Sequence, residues 1–467
     1  MTCLNHASLA ASLAALTVAA DAAAASKPKS PAGKRPAVIV IMTDQQTAGA
    51  ISCAGNPWVR TPAMDALAAD GVRFTRAYCP YPLSGPCRAA LVTGRMPFEV
   101  GAFDNAIRPA DADMQAGIGH RLAEAGYECL YAGKWHVPEV NLPDSGTGFR
   151  RISKMNDPAL ADACDAALKE YDGQKPLFLV ASLLNPHEIC EYGRHETLQY
   201  GELAPFSTEE CPNLPANFMP STYAAEALTL EHASSPRYHD TYTYTQDDWR
   251  RYLYAYYRLV ERADREVGRI VGVLKAHGLY DDAAIVFLSD HGDGAAAHGW
   301  NQKWNLQEEV INVPLIVKPP KGAGLRGVRN DEALSNVGLD LYATACDYAG
   351  VTPDPGRYRG RSLRPVAEGR QATLHDEVFV ETLLPGPDMR GWSVVGPRYK
   401  YVLYQWGRNR EALYDLQDDP GEMVNLAVDR RYEAELNRLR RAMYDWGVRI
   451  GDPKLVRNLR PFAETRN

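Results

Sequence analysis

Ser84, in the run Ser84-Gly85-Pro86-Cys87-Arg88, places a hydroxyl just ahead of a predicted helix start. Pro86 suits a first helical position, where no amide hydrogen is needed, and the free amides of a helix start can hold an anion. A hydroxyl nucleophile facing a bound anion is one reading of this run; the cap of a surface helix is the other. Asp44-Gln45 and Asp290-His291 each follow an apolar run. Two carboxylates, an amide oxygen and an imidazole are a donor set for a divalent cation. Taken alone, either pair reads as ordinary turn chemistry. Lys134 with His136, and His187, also stand just past apolar runs and supply a cation and two imidazoles. Singly, each reads as a solvated charge or a structural histidine.

The runs that must position these residues share one syntax. Residues 38–42 are wholly apolar and mostly β-branched, as in a strand covered on both faces, and Asp44 follows almost at once. Residues 127–131 lead to Lys134 and His136, 177–184 to His187, and 284–288 to Asp290. Between them lie helical patterns, the longest over 247–277, with apolar residues at three- and four-residue spacing and Gly278 placed to stop it. Strands alternating with helices predict an α/β fold with a mostly parallel central sheet flanked by helices. Ligands in such sheets bind beyond the carboxyl ends of the strands, where the polar exits fall. Residues 190–246 break the rhythm, and an insertion of that length usually serves a site. Beyond residue 370 the pattern becomes strand-like pieces at 377–381, 392–395 and 399–404, then a helix over 432–448. This predicts a small α+β domain with an antiparallel sheet.

Composition narrows the partners. A formal net charge of -7 offers no global field for polyanions, so nucleic acid is excluded and an anionic substrate needs a local basic pocket. The nine cysteines are scattered without a C-x-x-C pair, which argues against a zinc site of that kind and predicts mostly buried free thiols, with at most a few disulfides if the protein is exported. Residues 8–25 form an apolar run ending in small residues, followed by a Lys/Pro/Ser/Gly linker, the pattern of a signal peptide on an exported protein. No later stretch is apolar enough to span a bilayer. The expected organisation is a signal peptide at 1–25, a linker at 26–36, a catalytic domain at 37–370 and a carboxyl-terminal subdomain at 371–467.

Read jointly and in order, the motifs Met42-Thr43-Asp44-Gln45-Gln46, Ser84-Gly85-Pro86-Cys87-Arg88 with Ala89-Ala90-Leu91-Val92-Thr93-Gly94-Arg95, Gly133-Lys134-Trp135-His136, Asn185-Pro186-His187 and Ser289-Asp290-His291-Gly292-Asp293 resemble the type I sulfatase pattern. His298 and Lys303 follow at the spacing of iduronate-type members. The end of the chain, from Leu413-Tyr414-Asp415-Leu416 through Asp419-Pro420-Gly421-Glu422 to Asn425-Leu426, is similar to the sulfatase carboxyl-terminal module.

The resemblance implies an alkaline-phosphatase-like fold in which Ser84 is oxidised to formylglycine by a maturation enzyme of the anaerobic, serine-oxidising type. It implies that Asp44, Gln45, Asp290 and His291 bind one divalent cation, calcium by family habit, together with the residue made from Ser84. Arg88 and Lys134 would stabilise the aldehyde hydrate, His136 would help its second hydroxyl lose a proton, and His187 and Lys303 would contact the sulfate ester, one as general acid. His298 is a further substrate-binding candidate. A sulfate ester repels a nucleophile, so cations must offset its charge before attack. The implied reaction is hydrolysis of a sulfuric ester, with a sulfated carbohydrate as the expected substrate. A phosphodiesterase or phosphonate monoester hydrolase of the same superfamily is the alternative, and a non-catalytic carbohydrate-binding relative the third. Many family members carry a second aspartate where Gln45 stands.

Overall fold

A computed structural model of the chain describes residues 35–137, 146–234, 241 and 243–464. The expected signal peptide, residues 1–25, lies outside the described residues, as does the linker up to residue 34. Val38–Asp44 is buried at every position and runs through the middle of an eight-stranded sheet. Leu177–Pro186 and Ala284–Ser289 pair with it in parallel on either side, and Glu128–Gly133 pairs in parallel beyond Leu177–Pro186. Arg150–Arg151 closes that edge; on the other side follow Leu315–Lys318, Val72–Phe74 and Val328–Asn330. Leu315–Lys318 is antiparallel to both neighbours, so the sheet is mixed. The four strands with polar exits are contiguous and co-directional. Gly133, Ser182, Met42 and Leu288 stand in one row across them, so the exits open at one end of the sheet.

Strand alternation feeds two cores. Ile39 and Ile41, with Leu179, Ile285 and Phe287, meet Ala263, Val267 and Ile270 of the helix Gln246–Ala276 on one face. Val38, Val40 and Met42 enter the core on the other. Each such side chain contributes roughly 1.5–3 kcal/mol on burial. The long helix starts at a capping box made by Thr245 and Asp248 and ends just before Gly278, whose φ of 67° an L side chain adopts reluctantly.

Val378–Leu384, Met389–Val395, Tyr399–Tyr404 and Glu411–Asp415 form a four-stranded antiparallel sheet in sequence order. The sequence pattern announces three of these; the fourth is five residues long with four of them buried, too short and too uniform for alternation to mark it. The helix Glu433–Ile450 packs against this sheet through Leu436, Leu439, Met443 and Trp446. Among the described residues the cysteines are free and all but Cys53 are buried, and no helix is long and apolar enough to cross a membrane.

One glycine ties fold to site. Gly133 ends its strand at φ 89°, immediately before Lys134, and an added Cβ there would lie 2.0 Å from the Ser182 carbonyl oxygen. Gly133→Ala is therefore expected to destabilise by at least about 2 kcal/mol through clash and left-handed strain together. A lowered melting temperature checks this; an unchanged one contradicts it.

Candidate active site

Ser84 is the first residue of the buried helix Ser84–Thr93 rather than the residue ahead of it, and Pro86 is third rather than first. The substitution of place is harmless because the first intrahelical bond here is Cys87 N to Leu83 O, so proline lacks only a hydrogen that has no helical acceptor. The amide of Gly85 donates to Asn105 Oδ1 at 2.9 Å, so this group of the helix start is engaged by protein. The Ser84 hydroxyl, 1% exposed, lies 3.3 Å from Asp44 Oδ1 and 3.0 Å from His291 Nε2.

Asp44 ends the central strand, and Asp290 with His291 follow the neighbouring one. Ligand atoms of these three buried residues lie within 4.8 Å of one another. His291 Nε2 is 3.9 Å from Asp44 Oδ1 and 3.8 Å from Asp290 Oδ1. His291 Nδ1 is 2.9 Å from the Gly292 carbonyl, which can only accept, so Nδ1 carries the hydrogen and Nε2 offers its lone pair to the cluster. The other oxygens of the two aspartates face Arg88. Its Nε donates to Asp290 Oδ2 at 2.8 Å and an Nη to Asp44 Oδ2 at 2.9 Å, while the remaining Nη donates to Ser182 Oγ and the Lys134 carbonyl. Lys134 Nζ completes the cage at 2.7 Å from Asp44 Oδ2.

This division of oxygens shapes the electrostatics. Burial opposes ionisation of Asp44, but Lys134 and then Arg88 hold its carboxyl well below the usual range. Asp290 is pushed up, first by burial and then by the charge of Asp44. A pair of buried carboxylates in which one resists ionisation is a site short of positive charge. The donor set therefore fits a divalent cation. Burial, reinforced by Lys303, lowers His291 to about 3, so its imidazole is neutral as a ligand must be.

His136 and His187 are also neutral. Burial followed by Lys134 lowers His136 to about 3, and burial followed by Lys303 and Lys134 takes His187 well below its ordinary value. The Nδ1 atoms of both are buried without a hydrogen-bond partner. Lys303 donates to Gln45 Oε1 at 2.7 Å. Two candidates are placed differently from the others. The Gln45 amide is engaged by Lys303 at one end and by Asp293 at the other. His298 is grouped with Glu309 and Glu422, against the carboxyl-terminal module, in a second cluster whose ligand atoms lie within 4.8 Å. There Lys400 already pairs with Glu422 and Glu308. Sequence reasoning passed over Asp293, Ser182 and Tyr252; Asp293 was visible inside the motif, whereas nothing local marks the other two.

A parallel-centred sheet with a buried hydroxyl, two carboxylates and an imidazole at its carboxyl edge defines an alkaline-phosphatase-like hydrolase. The sulfatase family model matches residues 36–351, well over half of the chain, and the chain belongs to the type I sulfatase family. A second model, N-sulphoglucosamine sulphohydrolase C-terminal, matches residues 296–448. Delta 4,5-hexuronate-2-O-sulfatase of Bacteroides thetaiotaomicron is 29% identical, over 93% of each chain. N-acetylglucosamine-6-O-sulfatase of the same organism is 25% identical over 93% of this chain and 89% of that one. The solved structure of a 2-O GAG sulfatase superposes with a TM-score of 0.80 at 27% identity, covering 90% of this chain and 93% of that one. The protein is a sulfuric-ester hydrolase.

Proposed function

We propose that this sulfatase releases sulfate from a sulfated saccharide outside the cytoplasm, using an oxidised Ser84 and one divalent cation, calcium. The observation that carries the reading is the meeting of Asp44 Oδ1, Asp290 Oδ1, His291 Nε2 and Ser84 Oγ in one buried cluster, with Arg88 and Lys134 bound to the opposite oxygens. Asp44, Asp290, His291 and residue 84 would hold the cation, which when bound supplies Lewis-acid stabilisation and acidifies an adjoining hydroxyl. Formylglycine at position 84, made by a serine-oxidising maturation enzyme, would supply two hydroxyls as its hydrate, one to attack sulfur and one to let sulfate leave. Arg88 and Lys134 fix the carboxylates and keep positive charge where the sulfate oxygens arrive. Neutral His136 is fit to accept a proton from residue 84. His187 and Lys303 would contact the ester and protonate the departing alcohol; His187 gains its proton once the ester's charge has offset that of the two lysines.

Saccharide is favoured because two relatives aligned along almost the whole chain are named for sulfated sugars. Export rests on residues 8–25, and we divide the chain at 370/371, ahead of the four-stranded sheet. Sulfate release from defined sulfated saccharides, with 4-nitrophenyl sulfate and phosphodiester and phosphonate esters as comparators, tests the reading. Turnover of the aryl sulfate with no release from any saccharide would overturn the substrate class.

Chelation gives an independent check. Treatment with EDTA is expected to lower the melting temperature, and excess calcium to restore it. An ion present at 100 times its dissociation constant stabilises by about 2.7 kcal/mol. Asp290→Asn should melt at the same temperature with or without calcium; a normal calcium response in that variant rejects the assigned ligands.

A further inference from the structure

A cleft of about 600 Å³ lies between the helix Glu433–Ile450 and segments within residues 336–379, and it shares no lining residue with the site around Ser84. Its walls carry the five guanidiniums of Arg359, Arg361, Arg438, Arg441 and Arg449 against the three carboxylates of Asp376, Glu377 and Asp445. His375 also lines it and is tied to Asp340 at 2.8 Å. In a chain with a formal net charge of -7 this is a local reversal of sign. The positive charge is only partly matched. Arg438 pairs with Glu377 at 2.6 Å and Glu435 at 2.8 Å, and Arg359 with Glu99 at 3.0 Å. Arg441 comes no nearer to Asp445 than 4.0 Å. Among the described residues neither Arg361 nor Arg449 pairs with a carboxylate: Arg361 donates to the Leu374 carbonyl at 2.6 Å, and the Arg449 guanidinium lies 5.7 Å from the centre of the Trp446 ring.

The sequence arranges this charge. Arg438, Arg441, Asp445 and Arg449 recur at three- and four-residue spacing, so they share one face of the helix, and the eleven residues from first to last span about 16 Å. A row of cations of that length, set in a cleft, meets several charges of a linear polyanion, and guanidinium forks match the paired oxygens of sulfate and carboxylate. Nucleic acid is a poorer fit. The rings lining the cleft are already stacked, Phe379 on Trp446 at 4.3 Å and Tyr358 on Tyr342 at 4.6 Å, and leave a base no platform. We propose that this cleft is a second saccharide site, which holds a sulfated chain apart from the reacting ester; the choice of a sulfated saccharide rests on the substrate reading above. The strand Val378–Leu384 links the two places. Val378 and Phe379 line the cleft, and three residues on, about 10 Å along the strand, the Thr382 hydroxyl donates to the carbonyl of Trp304, next to Lys303.

Titration calorimetry on the full-length Ser84→Ala protein, which binds without turnover, tests this with a heparin octasaccharide as the probe. Replacing Arg441 and Arg449 together by Gln, which keeps the length of both stems, is expected to weaken binding about 10-fold, the combined effect of two partly exposed charge contacts. Binding should also weaken as salt is raised. Ala442→Glu puts a negative charge on the same wall and should weaken binding likewise; it takes the place of the double variant if that one does not fold. Unchanged affinity in these variants overturns the proposal, as does a single DNA strand of eight nucleotides that binds as tightly as the octasaccharide. The measurement needs no turnover, so the two readings fail separately. Saccharides that are bound in the cleft but never hydrolysed would overturn the substrate class alone, whereas sulfate release from saccharides with unchanged affinity in the variants would overturn the second site alone.

Discussion

Ser84→Ala is expected to lower sulfate release by at least about 10³-fold while leaving the fold almost untouched. Ser84 is 1% exposed and the partners of its hydroxyl are Asp44 Oδ1 and His291 Nε2; both residues stay anchored through their opposite atoms, Asp44 Oδ2 by Arg88 and Lys134 and His291 Nδ1 by the Gly292 carbonyl. Removing one oxygen from the first turn of a buried helix costs about 1 kcal/mol or less, so the melting temperature should stay within a few degrees. The chemistry has no such reserve. Without oxygen at position 84 nothing bonded to the chain can attack sulfur, and the surrounding charges are left with only their contribution to binding. An unconverted serine should be nearly as inert, since a sulfated serine has no second hydroxyl with which to expel sulfate. Mass spectrometry of the tryptic peptide covering residues 77–88 reads the conversion directly: active enzyme should give a peptide lighter by one hydrogen molecule. An unshifted mass in a fully active sample would sink the formylglycine claim.

Arg88→Met is expected to damage both stability and activity. Among the described residues Arg88 is the largest fully buried side chain, and it spans Asp290, Asp44, the Lys134 carbonyl and Ser182 with one planar fork. Its loss leaves Asp290 Oδ2 without its ion-pair partner in a site shielded from water, a defect of about 3–5 kcal/mol. The apparent melting temperature should fall by at least about 4 °C. Activity should fall by at least about 10³-fold, because the cation at the centre of the site and the aim of both aspartates are lost together. Arg88→Lys should recover only part of this, a point charge being unable to bridge four acceptors. The pH dependence has a definite sign. Asp290 already resists ionisation, and without Arg88 its folded-state pKa rises further above the unfolded value, so its contribution is intact below the unfolded pKa and is lost as pH rises through the folded one. In chelator, the stability gap between wild type and Arg88→Met should widen from pH 5 to pH 8. A constant gap would show that Arg88 acts through packing alone.

The elements were legible because each is written locally. Residues 38–42 of the strand Val38–Asp44 are apolar at consecutive positions, as a doubly covered strand requires, and the spacing of Leu253, Tyr256, Val260, Val267 and Leu274 allows only a helix to gather them on one face. The fourth strand of the carboxyl-terminal sheet escaped notice for the converse reason, since five mostly buried residues carry too few alternations to declare a period. Gln45 and His298 show what a motif leaves open: both sit inside or beside matched motifs, and only the fold brings Gln45 to Asp293 and Lys303 and sets His298 near Glu309 and Glu422.

By itself the sequence determined the residue types at each strand exit, the parallel order that brings those exits to one end of the sheet, and the sulfate-ester chemistry that such a set permits. Only the tertiary structure decided which oxygen of each aspartate meets the cation cluster and which meets Arg88, which nitrogen of His291 is bare, and where the amide of Gln45 points. The reason is physical. Periodicity records burial along a few neighbouring residues, whereas a buried polar atom takes its partner from whatever the fold brings within reach, and here Gln45 and Asp293 are 248 residues apart.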